Sequence, residues 1–307
     1  SLAAGSLPAE WPGAARVLHA AHTGDTDGAL ASLGDDVVSR INRLVLAPTT
    51  EHLADARLAA GGDSNLSVVV QAAAYASGLT DEPPSPDAAD GEFAVLAHTV
   101  RAARALEFKD HSGALRSLRA AVPPAAAVGP VLHARVLGML AEHQGAGARR
   151  IVLDLYDEAI ALLTPTDFAE LRAGMQLERG LAAHQLADEE RHRLVEAIRS
   201  YQSALIVLGE QTHPEQFALA NMNIAIAMLA MPMTQASDQV RLGVAVQSLR
   251  AALRVYRPET HPWEWSSSQM NLANALQYLP SAHREENLQE AVELLEEVLA
   301  VRSPRSD

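Results

Sequence analysis

Residues 213–232 read HPEQFALANMNIAIAMLAMP, and residues 261–280, 48 positions later, read HPWEWSSSQMNLANALQYLP. His-Pro opens both and Pro closes both; an aromatic follows at Phe217 and Trp265, and Met-Asn-aliphatic-Ala recurs at 222–225 and 270–273. Recurrence at a fixed offset marks a repeat architecture, in which each copy is one supersecondary unit. A second amphipathic segment follows each copy. Its apolar positions are Ala291, Val292, Leu295, Val298 and Leu299 in the last, and Ala245, Val246, Leu249, Ala252 and Leu253 in the one before. Ala197, Ile198, Tyr201, Ala204 and Leu205 give a third set upstream. The spacing i, i+1, i+4, i+7, i+8 is one face of an α-helix and cannot be one face of a strand. The repeated unit is a helix–turn–helix.

Toward the N-terminus, residues 134–165 hold Leu137-Gly138, then Gly145, Tyr156-x-x-Ala159-Ile160 and Pro165. These residues resemble the tetratricopeptide repeat, which places Leu-Gly in its first helix, Gly at the turn, Ala and an aromatic on its second helix, and a closing Pro. Small residues let the two helices approach closely while a larger one fills the facing gap. The repeats here run 45–49 residues against the family's usual 34, which implies longer helices and connections. The resemblance implies an all-α fold, a right-handed superhelical solenoid of helical hairpins. Weaker copies lie at 91–122 and 14–33, and three shorter helices are expected at 35–47, 49–60 and 64–78. The stretch TDEPPSPDAAD at 80–90 reads as a Pro-rich acidic linker. The expected organisation is an irregular helical region at 1–80 that includes one such hairpin, a Pro-rich acidic linker at 81–90, and about five hairpins over 91–302.

Composition agrees with helices. Of 307 residues 48% are apolar but only 4% aromatic, a balance that suits helix more than strand and is too apolar for disorder. The absence of Cys excludes disulfides, thiolate metal sites and Cys nucleophiles. A formal charge of −14, with Lys109 the only lysine, argues against nucleic-acid binding, which needs clustered cations. The longest apolar run, Phe217 to Met233, contains Asn221 and Asn223 and is shorter than the roughly 20 residues that span a bilayer, so no membrane contact is expected. Ser1 to Pro8 shows no secretory leader, and the cytoplasm is the expected location.

Twelve histidines invite a metal search. Glu189 with His192, and Glu210 with His213, have the Glu-x-x-His spacing of carboxylate-bundle sites, but both fall in expected connections. His19 and His22 share a helix face without a third ligand, and neither His-Glu-x-x-His nor Gly-x-Ser-x-Gly occurs. No metal, cofactor or catalytic residue is expected. His213 and His261 open repeats, where a ring nitrogen could accept from a helix-start N–H. Met222, Met228, Met231, Met233 and Met270 cluster in the two C-terminal repeats, where core packing is the first reading, an adaptable partner surface the second and a soft-metal site the third.

In the tetratricopeptide family the first helix of each hairpin lines a concave groove. The resemblance therefore implies ligand-facing positions at Ser267, Met270, Asn274, Gln277 and Tyr278, and at Leu219, Met222, Ile226, Leu229 and Ala230. The alternative is burial of these residues against another layer of the same chain. Of Trp263 and Trp265, one is expected to pack and the other to stand out as an anchor. The family's carboxylate clamp needs cations on the first helix, which one turn lysine does not supply. Glu285, Glu286, Glu290, Glu293, Glu296 and Glu297 read as a polar end cap, or else as a docking face for a basic partner.

The expected function is a non-catalytic adaptor or assembly scaffold that binds a protein or peptide partner, a basic one being favoured by the charge. Met222, Ile226, Met270, Asn274, Gln277, Tyr278 and Trp263 are the expected contacts. The alternative is a regulatory sensor taking a small molecule or signal peptide in the same groove. Either reading is compatible with a homo-oligomer.

Overall fold

A computed structural model describes residues 24–232, 238–279 and 283–302. Every regular element among them is helical. The chain divides into two compact units, residues 1–143 and 144–307.

The first unit holds α1 (Thr26–Ala31), α2 (Val37–Leu46), α3 (Thr50–Ala60), α4 (Ser64–Ala76), α5 (Gly91–Glu107), α6 (His111–Val128) and α7 (Pro130–Glu142). Its helix starts are written in short polar side chains. Asp25, Asp36, Thr49, Asp63 and Asp110 each accept the N–H three residues on, satisfying one of the donors a helix start leaves open. Hydrogen bonds from Ser39 hold the Asp36 carboxyl below the usual carboxylate range, and the Gly113 N–H does the same for Asp110. Ile41, Leu44, Leu53, Ala56, Val70 and Ala74 knit α2, α3 and α4 around one core. The helices expected at 35–47, 49–60 and 64–78 correspond to these three.

The 81–90 stretch lies within this unit. It contains a 3₁₀ turn, Pro86–Ala88, and its backbone is tied to α4: the Ser85 N–H donates to Gln71 and the Asp90 N–H to Asn65. Next, α5 and α6 form a hairpin whose turn holds Lys109 at φ +60°, with the Asp110 N–H donating to Ala105 at 2.8 Å. The copy expected to end at Val122 runs on to Val128, through Pro123 and Pro124. Proline removes an intrahelical bond and usually ends a helix. Here Ala125 is buried with Val95 and Val136, which holds the last turn, and Gly129 at φ +153° ends it.

The second unit holds α8 (Arg149–Leu163), α9 (Ala169–Leu186), α10 (Arg193–Leu205), α11 (Pro214–Ala230), α12 (Asp238–Leu253), α13 (Pro262–Tyr278) and α14 (Arg284–Arg302). The 134–165 copy therefore has its first helix, α7, in one unit and its second, α8, in the other. Within the second unit each helix packs on the next, and α11 also touches both α9 and α13. The pairs α9–α10, α11–α12 and α13–α14 are the hairpins read from the repeats. The first two cores follow the expected offsets: Ala197, Tyr201 and Ala204 are buried with Leu177 and Ile224, and Ala245, Val246 and Leu249 with Leu272 and Leu276. On α14 only Ala291 and Val298 of the five expected positions are buried, and Val292, Leu295 and Leu299 are exposed.

Candidate functional site

The two His-Pro turns have nearly one geometry. His213 and His261 are the residues before α11 and α13, at φ −140°, ψ 63° and φ −135°, ψ 59°, each with Pro as the first helical residue. Their rings do not accept from helix-start N–H groups. Instead the His213 carbonyl accepts from Phe217, and the His261 carbonyl from Trp265, both at 2.9 Å. The ring Nδ1 atoms pair with the preceding hydroxyls, His213 with Thr212 at 3.0 Å and His261 with Thr260 at 2.8 Å. Proline fixes the backbone for the first turn, so the ring is free to close the loop behind it. The recurring signal is Thr-His-Pro rather than His-Pro. The Thr was there to be read at 212 and 260. His261 also lies 3.8 Å from Glu215, linking the start of α13 to that of α11.

From this start α13 is laid down with two faces. Trp265, Gln269, Leu272, Ala273 and Leu276 are buried, and Gln269 donates to Glu297 of α14 at 2.7 Å. The other face carries Trp263, Ser267, Met270, Asn274, Gln277 and Tyr278. All are exposed except half-buried Ser267, whose carbonyl accepts from Asn271. Trp263 is 74% and Tyr278 64% exposed, high values for side chains that bury large areas elsewhere. Thus Trp265 packs and Trp263 stands out. Beside Trp263, with Pro262, Ser266 and Val301, lies an apolar depression of about 390 Å³.

The corresponding face of α11 is more covered. Met222 is half-buried against the cluster of Ala218, Ala252, Tyr256, Trp265 and Val298. Leu219 leans on the core of α9 and α10, and Leu229 on that of α12 and α13. Ile226 is half-buried and Ala230 exposed. Burial pushes the Tyr256 phenol up to about 12, so it stays protonated under that face.

The residues singled out for metal chemistry are engaged elsewhere. Glu190, beside Glu189, is bound by Arg150 and Arg193, whose hydrogen bonds hold its carboxyl below the usual range. His192 lies 3.6 Å from Glu190. Glu210 accepts from Arg254 at 2.7 Å, which lowers its carboxyl likewise. Among the described residues no three His, Asp or Glu gather as metal ligands, and no helix is long and apolar enough to cross a membrane. His19, His22 and Met233 lie outside the described residues. No protein-family model matches the chain, and a search of curated proteins finds no match.

Proposed function

We propose that this chain is a cytoplasmic, non-catalytic scaffold: a tetratricopeptide-like array, wound as a right-handed superhelix, that holds a segment of a partner protein along its first-helix face. The outer face of α13 carries this reading. Exposed Trp263, Met270 and Tyr278 alternate there with the amides of Asn274 and Gln277 on a helix whose opposite face is packed. Aromatic anchors of this kind dominate binding energy at interfaces. Amides beside them can meet the backbone or polar face of a helical or extended segment. These five groups include no carboxylate and no imidazole, so the face offers contact chemistry rather than acid–base chemistry. The net charge of −14 steers a basic partner toward the chain and repels an acidic one.

Selection of displayed random peptides on the immobilised chain tests this. Enriched peptides are expected to bind the wild type and to lose at least tenfold in affinity to the Asn274→Ala/Tyr278→Ala variant. Peptides that bind both equally would contradict the reading. So would a chain stabilised against heat by small molecules and by no peptide, which is the behaviour of a sensor.

A further inference from the structure

The Pro-rich stretch after α4 is built into the first unit, and a cavity lies beneath it. Leu79 packs on the core of α2, α3 and α4, and its N–H donates to Ala74 at 2.9 Å. Pro84 is fully buried, and the Ser85 N–H donates to the Gln71 side chain at 3.2 Å. Between these anchors Thr80 and Glu82 line a cavity of about 270 Å³. Arg57 of α3 lines it too, with Ser67, Val70 and Gln71 of α4. Val70 is buried and apolar; the other five are polar.

The lining carries one cation and one anion. Among the described residues neither Arg57 nor Glu82 is in an ion pair, whereas Arg40 and Arg43 of α2 pair with Asp55 and Asp35. The remaining hydrogen-bonding capacity is also of both kinds. The Thr80 hydroxyl accepts from the Glu82 N–H at 3.1 Å, which leaves its hydrogen to donate. The Gln71 amide oxygen accepts from Ser85, which leaves the NH₂ to donate. The Ser67 hydroxyl donates to the Asp63 carbonyl at 2.7 Å, which leaves its lone pairs to accept. An anion is thus offered a guanidinium, an amide N–H and a hydroxyl, and a cation is offered a carboxylate and a hydroxyl oxygen. A lone carboxylate would be repelled by Glu82, and a lone amine by Arg57; a zwitterion answers both. Pockets for drug-sized ligands run from about 300 to 1,000 Å³, so this one takes a smaller molecule and has no room for a peptide segment. We propose that the cavity binds a free α-amino acid. Arg57, Gln71 and Thr80 hold its carboxylate, Glu82 and Ser67 its ammonium, and Val70 meets its side chain. This is a second site, separate from the α13 face.

The proteinogenic L-amino acids, titrated one at a time into the full chain by calorimetry, test this. At least one is expected to bind saturably and to raise Tm. Its N-acetyl derivative, which has no ammonium, and its carboxamide, which has no carboxylate, should each bind at least tenfold more weakly. Arg57→Gln and Glu82→Gln should each weaken binding at least tenfold, with the Tm of the unliganded chain unchanged because both residues are exposed. Titration well below Tm reads affinity directly, so a variant of lowered stability still gives an answer. Asn274→Ala/Tyr278→Ala should bind the amino acid as the wild type does. No saturable binding by any amino acid, equal binding of the N-acetyl derivative, or wild-type affinity in both the Arg57→Gln and Glu82→Gln chains overturns the proposal. Loss of binding in Asn274→Ala/Tyr278→Ala would overturn it too, by placing the site on the α13 face.

Discussion

Gly180 and Tyr201 set how closely α9 and α10 approach. A Cβ built on Gly180 would stand 2.5 Å from the Tyr201 ring, whose side chain is fully buried. Alanine favours a helix interior over glycine by about 1 kcal/mol, yet overpacking a tight contact costs roughly 1–3 kcal/mol. Gly180→Ala is therefore expected to destabilise the chain in urea titration, and Gly180→Ala with Tyr201→Leu to recover part of the loss; a more stable single variant would contradict this packing. His184, 3.5 Å from the Tyr201 hydroxyl, is half-buried. Burial lowers its pKa below 6.5, with Asp188 opposing, and His98 is lowered in the same way. A histidine held neutral in the fold binds fewer protons than in the unfolded chain. Its contribution is thus whole above about pH 6.5 and is lost as pH falls through the folded value. Thermal scans should show Tm falling from pH 7 to pH 5.5, less steeply for His184→Gln. Tyr201 was legible from its register with Leu249 and Leu295, whereas Gly180 was not, because a missing side chain leaves no apolar pattern to read.

At the level of elements, Leu137 and the α13 face make opposite cases. Leu137 is buried within α7, and Leu137→Asp sets an unpaired carboxylate in an apolar site, at a cost of roughly 3–5 kcal/mol. Asn274→Ala with Tyr278→Ala removes two exposed side chains and should change stability by less than about 0.5 kcal/mol each. Circular dichroism melts of the two variants check both; a large loss from the double variant would mean that this face is core. Repeat spacing made α9 to α14 legible as helices, and the apolar offsets gave the buried arc on α10 and α12 but not on α14, where Val292, Leu295 and Leu299 are exposed. Coverage of each face was less legible. Met222 and Met270 share one letter and one register, yet Met222 is half-buried and Met270 exposed. The reason lies one repeat away: Trp265 of α13 and Val298 of α14 join the cluster that Met222 packs on. Met270 stands on the exposed face of α13. The same holds for Val292 and Leu295 against Val246 and Leu249. A stripe in sequence says which residues want burial, and only the neighbouring repeat decides which obtain it. Helix α6 failed to be legible for another reason, since local rules end it at Pro123 and the burial of Ala125 overrides them.

The whole chain joins an Asp-capped helical unit to a second unit of repeated hairpins, with an excess of carboxylates throughout. Much of that charge is held in place within the second unit. Arg254 to Glu210 at 2.7 Å and Arg250 to Glu290 at 2.8 Å tie residues more than a full hairpin's first helix apart, and such exposed pairs contribute little stability each. The measurement to make is quantitative co-purification from native lysate with the wild type and with Asn274→Ala/Tyr278→Ala, at low and high salt. A scaffold of this kind retains a stoichiometric partner at low salt, releases it as salt rises, and loses it in the variant. The same proteins held equally by both chains, or none held by the wild type, would contradict a binding role for the α13 face.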